Sequence, residues 1–190
     1  TVSISVRDHA AILDATAGPA PGDPYFAPPP ARPFLDEVGV DPGKLRVGFS
    51  YGGATGARTD GEHTRVLDET LSVLEGLGHD VVEADPPIDN GEMQEIFRTL
   101  MASNAAQTIR LHPTKGRLPE PGEVENVVAA TAEMGERVTG YDVFLAQGRM
   151  HQAGRRMAAF HEDYDVLLTP GLGHMPPKLG WIDMMMDDAD

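Results

Sequence analysis

Residues Leu45 to Ala84 spell out a strand, a helix and a second strand in one short stretch, and that order constrains the fold more than any other feature. Leu45 to Tyr51 (LRVGFSY) alternates enough apolar and β-forming residues for a short strand, and the loose loop GGATGARTDG follows it. Helix resumes at about Gly61, where Val66, Thr70, Val73, Leu74 and Leu77 fall on one side at a 3.6-residue period, and Gly78 ends it. Asp80 to Ala84 (DVVEA) reads as the second strand. Strands joined through a helix pair in parallel, with a right-handed crossover. The expected fold class is therefore α/β.

The flanking segments extend this reading. Ser5, three residues before Asp8, is placed to cap a helix, with Val6, Ala10, Leu13 and Ala17 as its apolar stripe and Gly18-Pro19 as its stop. Five prolines between Pro21 and Pro30 favour an extended connection anchored by Tyr25, Phe26 and Phe34. Further helices are expected over Glu92 to Gln107, with Ile96, Leu100 and Ala106 buried, and over Glu123 to Arg137. Another runs from Tyr141 to His161 with Phe144, Gln147, His151, Gly154, Met157 and Ala158 near one stripe. His112 to Pro121 breaks the helical pattern. Asp165 to Thr169 (DVLLT) is a third strand whose Val166, Leu167 and Leu168 suit burial on both faces of a sheet. The closing WIDMMMDDAD reads as the start of another helix, its methionines packing against a further segment.

Charge and composition exclude several functions. The 30 acidic residues against 15 basic ones give a formal net charge of −15, which repels phosphate backbones and argues against a nucleic-acid partner. The chain has no cysteine, hence no disulfide framework, thiol nucleophile or Cys-based zinc site. No apolar run approaches the roughly 18 residues of a membrane span, and no basic and apolar leader opens the chain. A soluble cytoplasmic protein without a membrane partner is the expectation, although a chain that begins at Thr1 without Met is expected to have lost its true start.

The chemistry-bearing residues form no complete site. Gly53 and Gly56 supply the last two glycines of a dinucleotide fingerprint with Tyr51 in place of the first, so a plain strand-to-helix loop is the simpler reading. The seven histidines include no HExxH pair and none sharing a helix face at i, i+4, and no metal is expected. Glu123, Glu125, Glu133 and Glu136 read as a solvated helix face. The five serines and three lysines show neither GxSxG nor SxxK, and Ser50 and Ser103 read as polar contacts.

Four segments in order, SVRDHAAILDATAGPAPGDP, LRVGFS, LEGLGHDVVEADP and YDVLLTPGLGHMPPKLG, resemble the middle portion of amidase signature family hydrolases. GDPYFAPPPARPF and LGWIDMMM resemble more particularly the branch that includes 6-aminohexanoate cyclic dimer hydrolase. The resemblance implies a three-layer α/β/α sandwich around a twisted mixed sheet. Residues 1–190 would form a partial domain lacking the N-terminal catalytic region and the C-terminal end. It also implies a Ser, cis-Ser, Lys triad ahead of Ser5, so no catalytic residue is carried onto this chain. The turn after the LLTP strand would line the acyl side of the substrate cleft, which maps onto Thr169 and Leu172, with Met101, Ala102 and Ser103 as further substrate contacts. Ordinary packing is the competing reading for each. Gly171 and His174 depart from the small, proline-rich turn of the family.

The function expected is a portion of a cofactor-free serine amidase hydrolysing a linear or cyclic carboxamide, with this chain inactive alone. The alternative is a non-enzymatic α/β binding or scaffold domain, and a nucleotide-binding module ranks below both. Uncovered sheet edges and helix faces would make the isolated chain associate, as a homo-oligomer or an aggregate.

Overall fold

The computed structural model describes residues 2–52, 59–111, 120, 122–173 and 175–182. Two units divide the chain, Thr1–Gly43 and Lys44–Asp190.

In the first unit, α1 (Val6–Thr16) begins as its sequence requires: the Ser5 hydroxyl accepts the Asp8 amide at 3.0 Å. Gly18, at φ +116°, supplies the left-handed residue just beyond its end. The Asp14 carboxylate accepts the amides of Phe34 and Leu35 at 2.7 and 2.9 Å, satisfying the first donors of the single-turn α2 (Phe34–Glu37). Ala10 is buried, whereas Val6 lies open, so the expected stripe narrows to its centre. The proline-rich connection has neither helix nor strand, and of its expected anchors only Phe34 is half-buried while Tyr25 and Phe26 are exposed.

The second unit is built on a parallel sheet of order β2-β1-β3, formed by β1 (Arg46–Phe49), β2 (Asp80–Glu83) and β3 (Val166–Leu168). Val47 pairs with Val81 on one side and Val166 on the other. The ladder continues past the strands, with Ser50 N donating to Leu168 O at 3.1 Å and Ala84 N to Phe49 O at 2.8 Å. The strand, helix, strand unit is thus as expected from sequence, with α3 (Gly61–Gly76) between β1 and β2. Asp60 caps α3 by accepting the His63 amide at 2.9 Å.

The buried face of α3 differs from the expected one. Leu67 and Leu71 are 5% and 8% exposed, whereas Val66 and Val73 are 48% and 61% exposed. Both sets satisfy a helical period, and the pair that reaches the rest of the unit is offset by one residue from the stripe read in sequence. Similarly, β3 is not enclosed on both faces, because Val166 is exposed and Leu167 and Leu168 are half-buried.

Three further helices complete the unit: α4 (Asn90–Leu111), α5 (Asn126–Gly135) and α6 (Gly140–Asp163). Thr139 and Asp142 form a reciprocal capping box at the start of α6. Helix α4 packs against both α5 and α6. Ile96, Ala102, Ala106 and Ile109 are its buried residues, and Leu100 is half-buried. On α6 the expected stripe is displaced: Phe144 is 77% exposed and Gln147, His151, Gly154 and Ala158 are exposed, while Ala146 and Ala153 are buried. Small residues occupy the tight side and Phe144 faces outward, while Met157 of the expected stripe is half-buried. Met184, Met185 and Met186, and nearly all of the helix break expected over His112 to Pro121, lie outside the described residues.

Candidate functional site

In a parallel sheet, ligands sit beyond the carboxyl ends of the strands, where backbone and side chains fan out from adjacent loops. All three strands deliver residues to one such cleft, of about 450 Å³. Ser50, Tyr51 and Gly52 come from the end of β1, Asp85 and Pro86 from the end of β2, and Thr169 from the end of β3. Ser50 is 2% exposed, and its Oγ donates to Asp85 Oδ1 at 2.5 Å while accepting the Gly52 amide at 3.3 Å. The hydroxyl is therefore spent on a tie between the β1 and β2 loops, and the Gly52 amide points at the serine rather than at a bound carbonyl. The Tyr51 hydroxyl donates to Asp68 at 2.7 Å, and that bond raises its pKa.

A second, larger cavity of about 760 Å³ adjoins the first, with Ile88 and Asn90 lining both. Its walls are α4, through Met93, Phe97 and Met101, and α5, through Thr131 and Met134. The connection between β2 and α4 is thus the partition between two chambers. Arg156 of α6 braces it, with Nε donating to Pro87 O at 3.1 Å and Nη2 pairing with Glu92 at 2.8 Å.

Asp60 holds the loop after β3 against the start of α3. Its carboxylate accepts the Met175 amide at 2.9 Å, and its own amide donates to Gly173 O at 3.0 Å. The amide of His63, then the His63 ring at 2.8 Å, then the Met175 amide hold the Asp60 carboxyl down at about 2.

The residues singled out in sequence fall in different places. Thr169 lines the cleft at the strand ends and also a smaller hollow against α3; Met101 and Ala102 line the apolar cavity. Ser103 faces a separate hollow with Gln107, Arg110 and Glu136, and Leu172 is 53% exposed. Glu136 is not merely solvated, since it pairs in a fork with Arg110 of α4. Gly53, Gly56 and His174 lie outside the described residues, among which no group of three or more His, Cys, Asp or Glu is spaced to hold a metal. The Ser50–Asp85 tie was legible only through strand register: Phe49 stands opposite Glu83, so the residues just past each strand meet.

Comparison with known proteins agrees with this architecture. The chain is 28% identical over 180 residues to the 6-aminohexanoate-cyclic-dimer hydrolase of Pseudomonas sp. (strain NK87), covering 93% of this chain and 36% of that protein. It is 28% identical over 171 residues to an acylamidase of Rhodococcus erythropolis, covering 90% of this chain and 35% of the relative. A solved structure of 6-aminohexanoate cyclic dimer hydrolase complexed with substrate superposes with a TM-score of 0.84 at 26% identity, over 96% of this chain and 39% of the other. The chain therefore spans little more than a third of the length of the relatives it matches. The family model described as Amidase matches residues 2–189, and the chain belongs to the amidase family.

Proposed function

We propose that this chain is a portion of a serine amidase that hydrolyses a linear or cyclic carboxamide. In this reading the Ser, cis-Ser, Lys triad of the family is carried by residues outside these 190, and the chain supplies part of the sheet and one wall of the substrate cleft. Serine attack on the carbonyl breaks the C–N bond, releases the protonated amine and leaves an acyl ester, which water then hydrolyses to the acid without a cofactor. Thr169 and Leu172 would line the acyl side, with Met101, Ala102 and Ser103 as further substrate contacts. The enzyme would work in the cytoplasm, and the 190-residue chain alone would be inactive and associate through its uncovered faces.

The observation that carries this reading is the uninterrupted family match over residues 2–189, together with the correspondence of fold to a substrate-bound hydrolase. The test compares the full-length gene product with the 190-residue chain on anilide and cyclic amide substrates. The full-length protein should turn over at least one of them and react with a serine-directed fluorophosphonate at a residue outside this chain. Amide hydrolysis by the 190-residue chain, abolished by Ser50→Ala or Ser103→Ala, would overturn it.

A further inference from the structure

The charged side chains of α4 are distributed unevenly. Glu92 and Glu95 pair with Arg156 and Arg149 of α6, and Arg110 pairs with Glu136 beyond the end of α5. Arg98 is different. Among the described residues it is the one charged side chain lining the 760 Å³ cavity, and no carboxylate of those residues lies within ion-pair distance of it. The rest of that cavity is dominated by Met93, Phe97, Met101 and Met134, of which Phe97 is 65% exposed. Apolar walls with a few convergent polar groups and a single free guanidinium describe a site for a ligand with an apolar body and an anionic end. The guanidinium recognises a carboxylate with two parallel donors, which an ammonium or a neutral amide cannot satisfy.

We propose that this cavity takes an apolar chain ending in a carboxylate and that Arg98 reads the carboxylate. The substrate class is then an amide whose acyl part carries a second, free carboxyl group. This rests on the amidase reading for its reaction, although the binding claim stands apart from it. A chain of net charge −15 offers no general attraction for anions, so the selectivity should reside largely in this one side chain.

The test uses the full-length protein, with calorimetric binding of octanoate and of 1-octanol as a neutral counterpart that an amidase cannot hydrolyse. Octanoate should bind more tightly, and Arg98→Met should reduce that preference by about tenfold, the size of one charge-assisted hydrogen bond. Arg98→Lys should retain part of it, and unchanged melting temperatures show that both variants fold. Turnover of octanoyl p-nitroanilide and of its ω-carboxyl counterpart should show the same preference in kcat/KM. Equal binding of octanoate and 1-octanol, binding of neither, or a preference that survives in Arg98→Met overturns the inference. If no anilide is hydrolysed, the amidase reading fails, while the binding measurement still decides the role of Arg98.

Discussion

A Cβ placed on Gly135 would stand 1.9 Å from the carbonyl oxygen of Ala102, because α5 crosses α4 with no room for a side chain. The carbonyl carbon of Ala102 and Cβ of Ala106 would lie at 2.6 and 2.8 Å, so relief requires the two helices to separate. Gly135→Ala gains about 1 kcal/mol of helix propensity and loses more than that to overpacking, which costs about 1–3 kcal/mol in ordinary cores and should reach the upper end against backbone. A lower melting temperature for Gly135→Ala is therefore expected. Gly148→Ala in α6 is the matched control: nothing lies within 4 Å of its Cβ position, and the same substitution should stabilise by about 0.5–1 kcal/mol.

Gly48 gives an intermediate case. A Cβ there would meet Phe160 Cζ at 3.0 Å and Tyr164 ring atoms at 3.2 Å. These rings stack on each other at 4.6 Å, and Arg46 lies over Tyr164 at 4.9 Å, so the neighbours are side chains that can yield together. Gly48→Ala should cost about 1–2 kcal/mol, less than Gly135→Ala, in denaturant unfolding of the same protein. An equal or larger loss would mean that the aromatic stack is as rigid as helix backbone.

The comparison of these positions shows what could be read in advance. The strand, helix, strand order of Leu45 to Ala84 is local in sequence, and it stands as expected. The choice of buried face is not local. On α3 a period that fits Val66 and Val73 also fits Leu67 and Leu71, and only the partner surface decides between them. On α6 the tight face is made of Ala146 and Ala153, whose small side chains give little hydrophobic signal, so the eye is drawn to Phe144 on the open side. Close helix contact favours small residues, and the same cause puts Ala102, Ala132 and Gly135 in the core. For the cleft, Thr169 was marked through family resemblance, whereas Ser50 and Asp85 meet through a parallel register that no spacing rule reveals.

Acid should release the loop after β3 later than an ordinary carboxyl would allow. The Asp60 carboxyl is held at about 2 in the fold, below the roughly 3.9 of an unfolded aspartate. A group with a depressed folded pKa contributes stability that is present above its unfolded value and lost as pH falls through the folded one. The window is therefore from about pH 4 down to about pH 2. Melting temperature should fall across it in the wild type, and the part of that fall due to Asp60 should vanish in Asp60→Ala. The variant should also melt lower at neutral pH, since it loses the cap on α3 and the bond to Met175 together. An identical acid profile in the two proteins would show that the clamp does not contribute.

Ser50→Ala tests the tie between the β1 and β2 loops. The serine is enclosed, so the change removes a hydrogen bond at 2.5 Å without opening a cavity larger than one oxygen atom. Asp85 is exposed and can take water in exchange, so no buried charge is stranded and the cost should stay near 1 kcal/mol. Ser50→Val replaces the hydroxyl with two methyl groups at an enclosed position and leaves Asp85 without the bond, and should cost about 1–3 kcal/mol. The same tie fixes the start of the connection that carries Ile88 and Asn90, the partition between the two chambers. If the catalytic serine lies outside this chain, as proposed, and the partition borders the substrate cleft, Ser50→Ala in the full-length protein should raise KM for an amide while leaving kcat within a factor of about three. A fall in kcat of about a hundredfold or more with KM unchanged would place Ser50 in the chemistry instead.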